Sequence, residues 1–265
     1  MLAVSDHGFT VGDGVFETLG VRAGEAVARD RHIARLLWSA ERMGMPAPAA
    51  AEVDTAIDAV LASCDAVTRI SGRMRITWSS GDGPLGSARG DGPGTLVVWA
   101  QAAAPWPATS RLAVCPWPRN ENSAVAGVKT TSYAENVVAL AWAKGVGADE
   151  AVFLDTRGHL SEGTGSNLLL SLGGTLVTPA LSTGCLAGIT RALVLQTSAV
   201  AEVEVGESAL RECDGAAVLS STRDVHPVSQ VRMSDGSTRE LSVNEPLIGA
   251  AAAALAELYA QTLNP

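Results

Sequence analysis

Between positions 127 and 191 the chain sets down three chemically distinct phrases in a fixed order, and each restricts the backbone that can carry it. The first, Gly127-Val128-Lys129-Thr130-Thr131-Ser132-Tyr133, delivers a lysine from an apolar approach, Ala124-Val125-Ala126. The second, Ser161-Glu162-Gly163-Thr164-Gly165-Ser166-Asn167-Leu168, sets a carboxylate in a glycine-rich turn. The third, Leu186-Ala187-Gly188-Ile189-Thr190-Arg191, reads as a glycine leading into a helix whose first N–H groups have no partner inside the helix. Each alone has an ordinary meaning: an exposed lysine, a surface carboxylate, a capped helix. Lysine is scarce, however. The chain has only Lys129 and Lys144, and Lys144 falls at the end of a predicted helix, where a cation complements the dipole.

Hydrophobic periodicity supplies the frame around these phrases. Gly12-Asp13-Gly14 reads as a tight turn before a strand ending near Val21, and Ala23-Gly24-Glu25 as a turn into Ala26-Val27. A helix is predicted over 30–43, capped by Asp30, ended by Gly44 and striped by Ile33, Leu36, Leu37, Ala40 and Met43. Arg35 falls on its opposite face with Arg31 and Arg42, so periodicity alone makes it a solvated arginine. A second helix is predicted over 49–62, then strands over 73–78 and 95–99. The intervening Gly81-Asp82-Gly83-Pro84-Leu85-Gly86 has the spacing of a dinucleotide loop, but more Gly and Pro follow it, so no helix N-terminus is there to hold a pyrophosphate.

The Pro- and Ala-rich stretch 101–110 marks the domain boundary, giving a small unit over 1–105 and a larger one over 106–265. In the second, strands are predicted at 111–115, 151–154, from Leu160, 167–172, 175–177, 203–205 and 216–219. Gly173-Gly174 forms a two-residue hairpin. Helices are predicted over 133–144, 189–200, 207–212 and 245–260. The fold class is mixed α+β and α/β, with two lobes.

A net charge of −9 argues against nucleic acid or an anionic membrane as partner. Four cysteines without a paired spacing form neither a disulfide framework nor a zinc site and suit a reducing cytoplasm, and no apolar run approaches the ~20 residues of a membrane span. The expectation is a cytoplasmic protein acting on a small molecule, with no metal.

The three phrases together supply an amine to condense with an aldehyde, an acid to face a ring nitrogen and N–H groups for a phosphate, which are the needs of pyridoxal 5′-phosphate. Their order resembles the fold-type-IV enzymes that use this cofactor, a family that includes branched-chain and D-amino-acid aminotransferases and 4-amino-4-deoxychorismate lyase. Gly12-Asp13-Gly14-Val15-Phe16-Glu17 and His32-Ile33-Ala34-Arg35-Leu36 resemble two further motifs of the family. The resemblance runs from about Val4 to Val228. It implies a small N-terminal α/β lobe and a larger C-terminal lobe with a β-barrel-like core; relatives usually carry an additional strand or hairpin before the pair that is Ser5-Asp6 here, so the expectation is a chain shortened at this point.

By that resemblance Lys129 is catalytic and bonds to the cofactor. Arg35 clamps the phosphate, Tyr133 meets the ring hydroxyl, Glu162 faces the pyridine nitrogen and Leu186 packs on the ring. Gly188, Ile189, Thr190, Ser221 and Thr222 share the phosphate. The D-amino-acid enzymes carry an Arg-x-His pair after the strand where this chain has Ser79-Ser80, and Tyr133 stands one residue short of the branched-chain spacing. The Gly127-Val128-Lys129 entry and Arg119-Asn120 look most like the lyases, with an aminotransferase as the alternative. A homodimer is expected, with the loop 81–94 closing the site and Arg89 or Arg223 meeting a substrate carboxylate.

Overall fold

The computed structural model describes residues 2–263. It divides into two compact units, Met1–Ala104 with Val128–Tyr133, and Pro105–Gly127 with Ala134–Pro265. A single linear boundary therefore does not describe the chain, because the lysine-bearing segment packs with the first unit.

The first unit runs α1 (His7–Thr10), β1 (Gly14–Arg22), β2 (Glu25–Ala26), α2 (Arg29–Arg42), α3 (Ala50–Ser63), α4 (Ala66–Ile70), β3 (Ser71–Ser79) and β4 (Thr95–Ala102). Its strands form an antiparallel sheet in the order β2-β1-β3-β4, with β1 and β3 in unbroken register from Gly14↔Ser79 to Arg22↔Ser71. Alternation assigns the two faces. Val15, Leu19, Val21, Met74, Ile76 and Trp78 join Ile33, Leu36 and Ala40 of α2 and Val53, Ile57 and Leu61 of α3 in one core. The expected Asp30 cap is not formed. Ala28, in a left-handed conformation at φ 53°, is the N-cap, and Asp30 stands inside the first turn, where its charge still favours the helix dipole.

Glu17 shares the inward parity of Val15 and Leu19, so a carboxylate is delivered into this core with 0% of its surface exposed. Its Oε1 accepts from Arg35 Nε at 2.7 Å, and its Oε2 accepts from Arg35 Nη2 at 2.6 Å and from His32 Nδ1 at 2.7 Å. Arg35 is consequently not the solvated arginine that periodicity suggests: its side chain is 12% exposed. Burial pushes the Glu17 carboxyl up, but the charge of Arg35 and the hydrogen bonds from Arg35 and His32 outweigh it and hold the group at about 2. Burial pulls the His32 ring below its ordinary value against the opposing pull of Glu17, while Arg35 and Lys129 add to the lowering.

The second unit runs β5 (Ser110–Val114), α5 (Ala134–Gly145), β6 (Glu150–Leu154), β7 (Leu160–Gly163), β8 (Asn167–Leu172) and β9 (Thr175–Pro179). After a 3₁₀ turn it continues through α6 (Ile189–Thr197), β10 (Val200–Val203), α7 (Ser208–Glu212), β11 (Gly215–Ser220), β12 (Asp224–Arg232), β13 (Thr238–Glu240) and α8 (Pro246–Leu263). The sheet order is β10-β9-β8-β11-β12-β5-β6-β7, with β13 beside β12. It curls as a half-barrel around one core that takes Leu112, Val152, Leu160, Leu168, Leu170, Val177, Val218 and Val228 from strands along its whole width. On the other face of β5 and β6, Ala113, Ala151 and Phe153 meet Ala139 and Ala143 of α5, where small residues let the helix approach closely.

The structure differs from the sequence reading in several elements, with α1, α4, β12 and β13 not among those predicted. The helix predicted to Val200 ends at Thr197, and Val200 instead opens β10 in parallel pairing with Leu176 of β9, so the strand lies before 203–205. β12 went unpredicted because Pro227 sits inside it, paired across from Ala217. Among the described residues no helix is long and apolar enough to cross a membrane.

Two stability measurements follow. Leu170→Ala should lower the stability of the second unit by about 3 kcal/mol through cavity formation, read as a lower urea midpoint at unchanged m value. Glu17 is lowered from 4.5 to about 2, so its contribution is complete above pH 4.5 and disappears as pH falls through 2. That contribution is on the order of 3 kcal/mol. His32 acts in the same direction, because the unfolded ring takes up a proton below about 6.5 and the folded ring resists it. Urea titrations between pH 4.5 and 2 should show a steep loss for the parent and a shallower one for Glu17→Gln; parallel curves would refute the assignment.

Candidate active site

In the first unit the segment Val128–Tyr133 runs along the start of β1. Phe16 N donates to Lys129 O at 2.9 Å, Val15 and Thr130 form an antiparallel bridge, and Thr131 N donates to Gly14 O at 2.8 Å. The Thr131 and Ser132 hydroxyls both donate to Gly12 O, at 2.8 and 2.9 Å. Gly12 adopts φ +70°, and a Cβ there would stand 2.8 Å from Ser132 Oγ. The Gly12-Asp13-Gly14 turn is therefore a clasp that fixes the backbone of the lysine segment.

Lys129 Nζ lies 4.5 Å from the centroid of the Phe16 ring and 5.7 Å from that of Tyr133, and these two rings meet edge to face at 5.2 Å. Arg75 Cζ lies 3.6 Å from the same Phe16 centroid. Phe16 faces away from the helices, one residue out of phase with Glu17, and Arg75 is likewise out of phase with Met74 and Ile76. Burial pulls Arg75 below the ordinary arginine value. Its polar contact is a long one, Nε donating to Thr77 Oγ1 at 3.4 Å, and among the described residues no carboxylate forms an ion pair with it. Two cations on one ring repel each other, so an anion beside them would be attracted by both.

Sequence reading placed Arg75 in a strand and gave it no role. The available signal was parity: Arg73, Arg75 and Thr77 fall on the sheet face opposite Met74, Ile76 and Trp78.

Arg89, expected at a substrate carboxylate, spends its guanidinium on Asp13 at 2.7 and 2.8 Å and on the carbonyls of Gly44 and Met43 at 2.8 and 2.9 Å. It ties down the loop that carries it. No helix follows Gly86.

In the second unit Glu162, near the end of β7, accepts from Leu186 N at 2.9 Å through Oε2, and its Oε1 lies 3.5 Å from Arg119 Nη2. Arg119 is stacked on Phe153 at 4.1 Å and also donates to Glu135 and Asn136. Asn167 Nδ2 donates to Leu186 O at 2.8 Å, so both the amide and the carbonyl of Leu186 are held. The structure thus joins the carboxylate phrase to the Leu186 phrase.

Gly188 is the N-cap of α6, and a Cβ there would collide with Asn167 Oδ1. Thr190 is 2% exposed, and its buried Oγ1 has no hydrogen-bond partner. An orphaned hydroxyl beside the unpaired N–H groups of a helix start, next to a position where only glycine fits, suits a tetrahedral anion.

Ser221 and Thr222 are half-buried in the turn between β11 and β12. Arg223, the alternative partner for a substrate carboxylate, donates to Glu150 Oε2 at 2.6 Å in a buried pair and stacks on Trp106 at 4.8 Å. The other Glu150 oxygen accepts from Gly165 N at 2.7 Å and Ser166 Oγ at 2.8 Å. Glu150, unnoticed in the sequence, therefore ties the turn after Glu162 to the turn after Thr222. Among the described residues no group of His, Cys, Asp and Glu is arranged to hold a metal.

Comparison with known proteins places the chain as a whole. The amino-transferase class IV family model matches residues 14–231. A putative branched-chain-amino-acid aminotransferase of Methanocaldococcus jannaschii is 32% identical over 213 residues, 79% of this chain and 73% of that one. An aminodeoxychorismate lyase of Bacillus subtilis is 27% identical over 244 residues, covering 87% and 82%. The solved 4-amino-4-deoxychorismate lyase of Pseudomonas aeruginosa superposes with a TM-score of 0.83 at 28% identity, over 100% of this chain and 96% of that one. The match spans both units and every phrase from Gly14 to Thr222, and the chain belongs to the class IV aminotransferase family.

Proposed function

We propose that this chain is a pyridoxal 5′-phosphate enzyme that cleaves 4-amino-4-deoxychorismate to 4-aminobenzoate and pyruvate. The observation that carries an acidic, amine-bearing substrate is Arg75 beside Lys129 on the Phe16 ring, Arg75 having no ion pair with a carboxylate among the described residues. Ser79 and Ser80, where an Arg-x-His pair would serve D-amino acids, favour the lyase branch, as does the Bacillus subtilis relative along most of the chain.

The residues fit the cofactor. The second unit offers the orphaned Thr190 hydroxyl and the Gly188 cradle for a phosphate, with Ile189, Ser221 and Thr222 beside them in sequence. Glu162 would face the ring nitrogen, held by Leu186 N and Arg119, and Leu186 would pack on the ring. The first unit offers the Lys129 amine, the Tyr133 hydroxyl for the ring hydroxyl, and Arg35 for the phosphate. When bound, pyridoxal phosphate supplies an electron sink for a carbanion next to the substrate amine.

Lys129 does the proton chemistry. With the substrate amine on the cofactor, Lys129 Nζ would take the proton from C4, the carbon that bears that amine. Glu162 would hold a proton at the ring nitrogen, so that the ring can accept the charge. The C–O bond to the enolpyruvyl group on the neighbouring carbon would then break with its electron pair on oxygen, and Lys129 would return the proton to the CH2 carbon of the leaving enolate, giving pyruvate. The remaining ring is aromatic, and no water or oxidant is consumed. Arg75 orients the substrate through a carboxylate.

The second reading is transamination of branched-chain or other amino acids, favoured by the 32% identity to the Methanocaldococcus jannaschii protein. There Lys129 would carry the proton between the substrate's α-carbon and the cofactor.

The two readings separate in one assay. Purified protein with 4-amino-4-deoxychorismate should release equal amounts of 4-aminobenzoate and pyruvate. Turnover of amino donors with 2-oxoglutarate and none of that cleavage would overturn the lyase assignment in favour of the second reading. Arg75→Leu should raise KM about tenfold or more with a smaller effect on kcat, as expected for loss of one charge-assisted contact to bound substrate. Unchanged steady-state kinetics would remove Arg75 from the site.

A further inference from the structure

Among the inward positions of β1, Glu17 stands out. Val15, Leu19 and Val21 at the same parity are apolar and packed against the helices. A hydrophobic residue there would stabilise the core more simply, because two charges must be stripped of water for the Glu17–Arg35 pair to form. The pair is also built side-on. Glu17 takes Nε and Nη2 of Arg35, so both carboxylate oxygens lie along one edge of the guanidinium and set its plane. His32, three residues before Arg35 on α2, lies 2.7 Å from the same Oε2 and stops the carboxylate from turning. Every part of this arrangement fixes one long side chain.

We propose that Glu17 is a positioning residue for Arg35, and that recognition of the cofactor phosphate in this chain resides in the Glu17–Arg35 pair rather than in Arg35 alone. This rests on the reading that Arg35 holds the phosphate. An unrestrained arginine surrenders rotamer entropy when it engages a ligand, and prior fixing by Glu17 removes that cost from the binding step. The opposing effect is electrostatic. A buried anion beside Arg35 cancels part of its attraction for a phosphate, and if cancellation dominated, removing the Glu17 charge would tighten binding. The proposal is that orientation wins, because Glu17 meets Arg35 through both Nε and Nη2 and so sets the plane of the guanidinium.

The test compares two ligands that differ only by the phosphate. Dissociation constants of the apoprotein for pyridoxal 5′-phosphate and for pyridoxal are measured by equilibrium dialysis, and their ratio reports phosphate recognition. Glu17→Gln keeps the shape and loses the charge, whereas Glu17→Asp keeps the charge and withdraws it by one methylene. Both should shrink the ratio by about tenfold, the worth of one charge-assisted hydrogen bond, with pyridoxal binding little changed. Arg35→Gln should shrink it at least as much.

If both ligands weaken equally in the Glu17 variants, Glu17 is merely structural and the proposal is overturned. A larger ratio in Glu17→Gln overturns it in favour of charge cancellation. A ratio that falls in Arg35→Gln and not in the Glu17 variants overturns the positioning role while leaving Arg35 on the phosphate. A ratio unchanged in Arg35→Gln removes Arg35 from the phosphate and the proposal with it. Should Glu17→Gln fail to fold, Glu17→Asp carries the same test.

Discussion

The amide of Phe16 donating to the carbonyl of Lys129 holds the first unit's chemistry in place. That bond, with its neighbours at Thr131 and the two hydroxyls on Gly12 O, adds a short extended segment to β1 although more than a hundred residues separate them in the chain. Closing so long a loop is entropically expensive, and backbone bonds alone return little net free energy. The glycines at 12 and 14 make the approach possible, because a side chain at Gly12 would press on Ser132 and one at Gly14 on the Trp78 carbonyl. With the segment docked, the Lys129 amine lies beside the Phe16 and Tyr133 rings.

β1 serves two purposes because its side chains alternate. Phe16 points to the face that carries Lys129 and Arg75, and Glu17, the next residue, points to the helices and meets His32 and Arg35. A slip of one residue in the β1–β3 register would exchange these faces, placing an aromatic ring against α2 and a carboxylate beside the lysine. The long unbroken pairing with β3 protects against that slip.

Carboxylates organise the second unit in a similar way. Glu162 accepts the Leu186 amide and faces Arg119, while Glu150 gathers Gly165, Ser166 and Arg223. Each satisfies backbone N–H groups in turns that the half-barrel strands leave at their ends. The cost of burying such anions is offset by several donors per carboxylate, and loss of one partner leaves a charge without compensation.

Helices α2 and α3, the core strands other than β12 and the Gly173-Gly174 hairpin were legible in the sequence, as was the order of the three phrases around Lys129, Glu162 and Gly188. They depend on period, turn chemistry and local order, which neighbouring residues specify among themselves. The sequence alone also assembled the resemblance that led to the family. The arginines were not legible. Arg35, taken by periodicity as solvated, was drawn to Glu17, Arg89 went to Asp13, Arg223 to Glu150, and Arg75 settled on an aromatic ring with no ion pair to an acid among the described residues. The reach of Val128–Tyr133 back to the first unit and the conversion of Val200 from helix end to strand belong to the same class. A guanidinium on a long flexible stem can reach many acids, and a short apolar run can end a helix or extend a sheet. Which outcome holds is decided by partners distant in the chain, and only the tertiary structure brings them within reach.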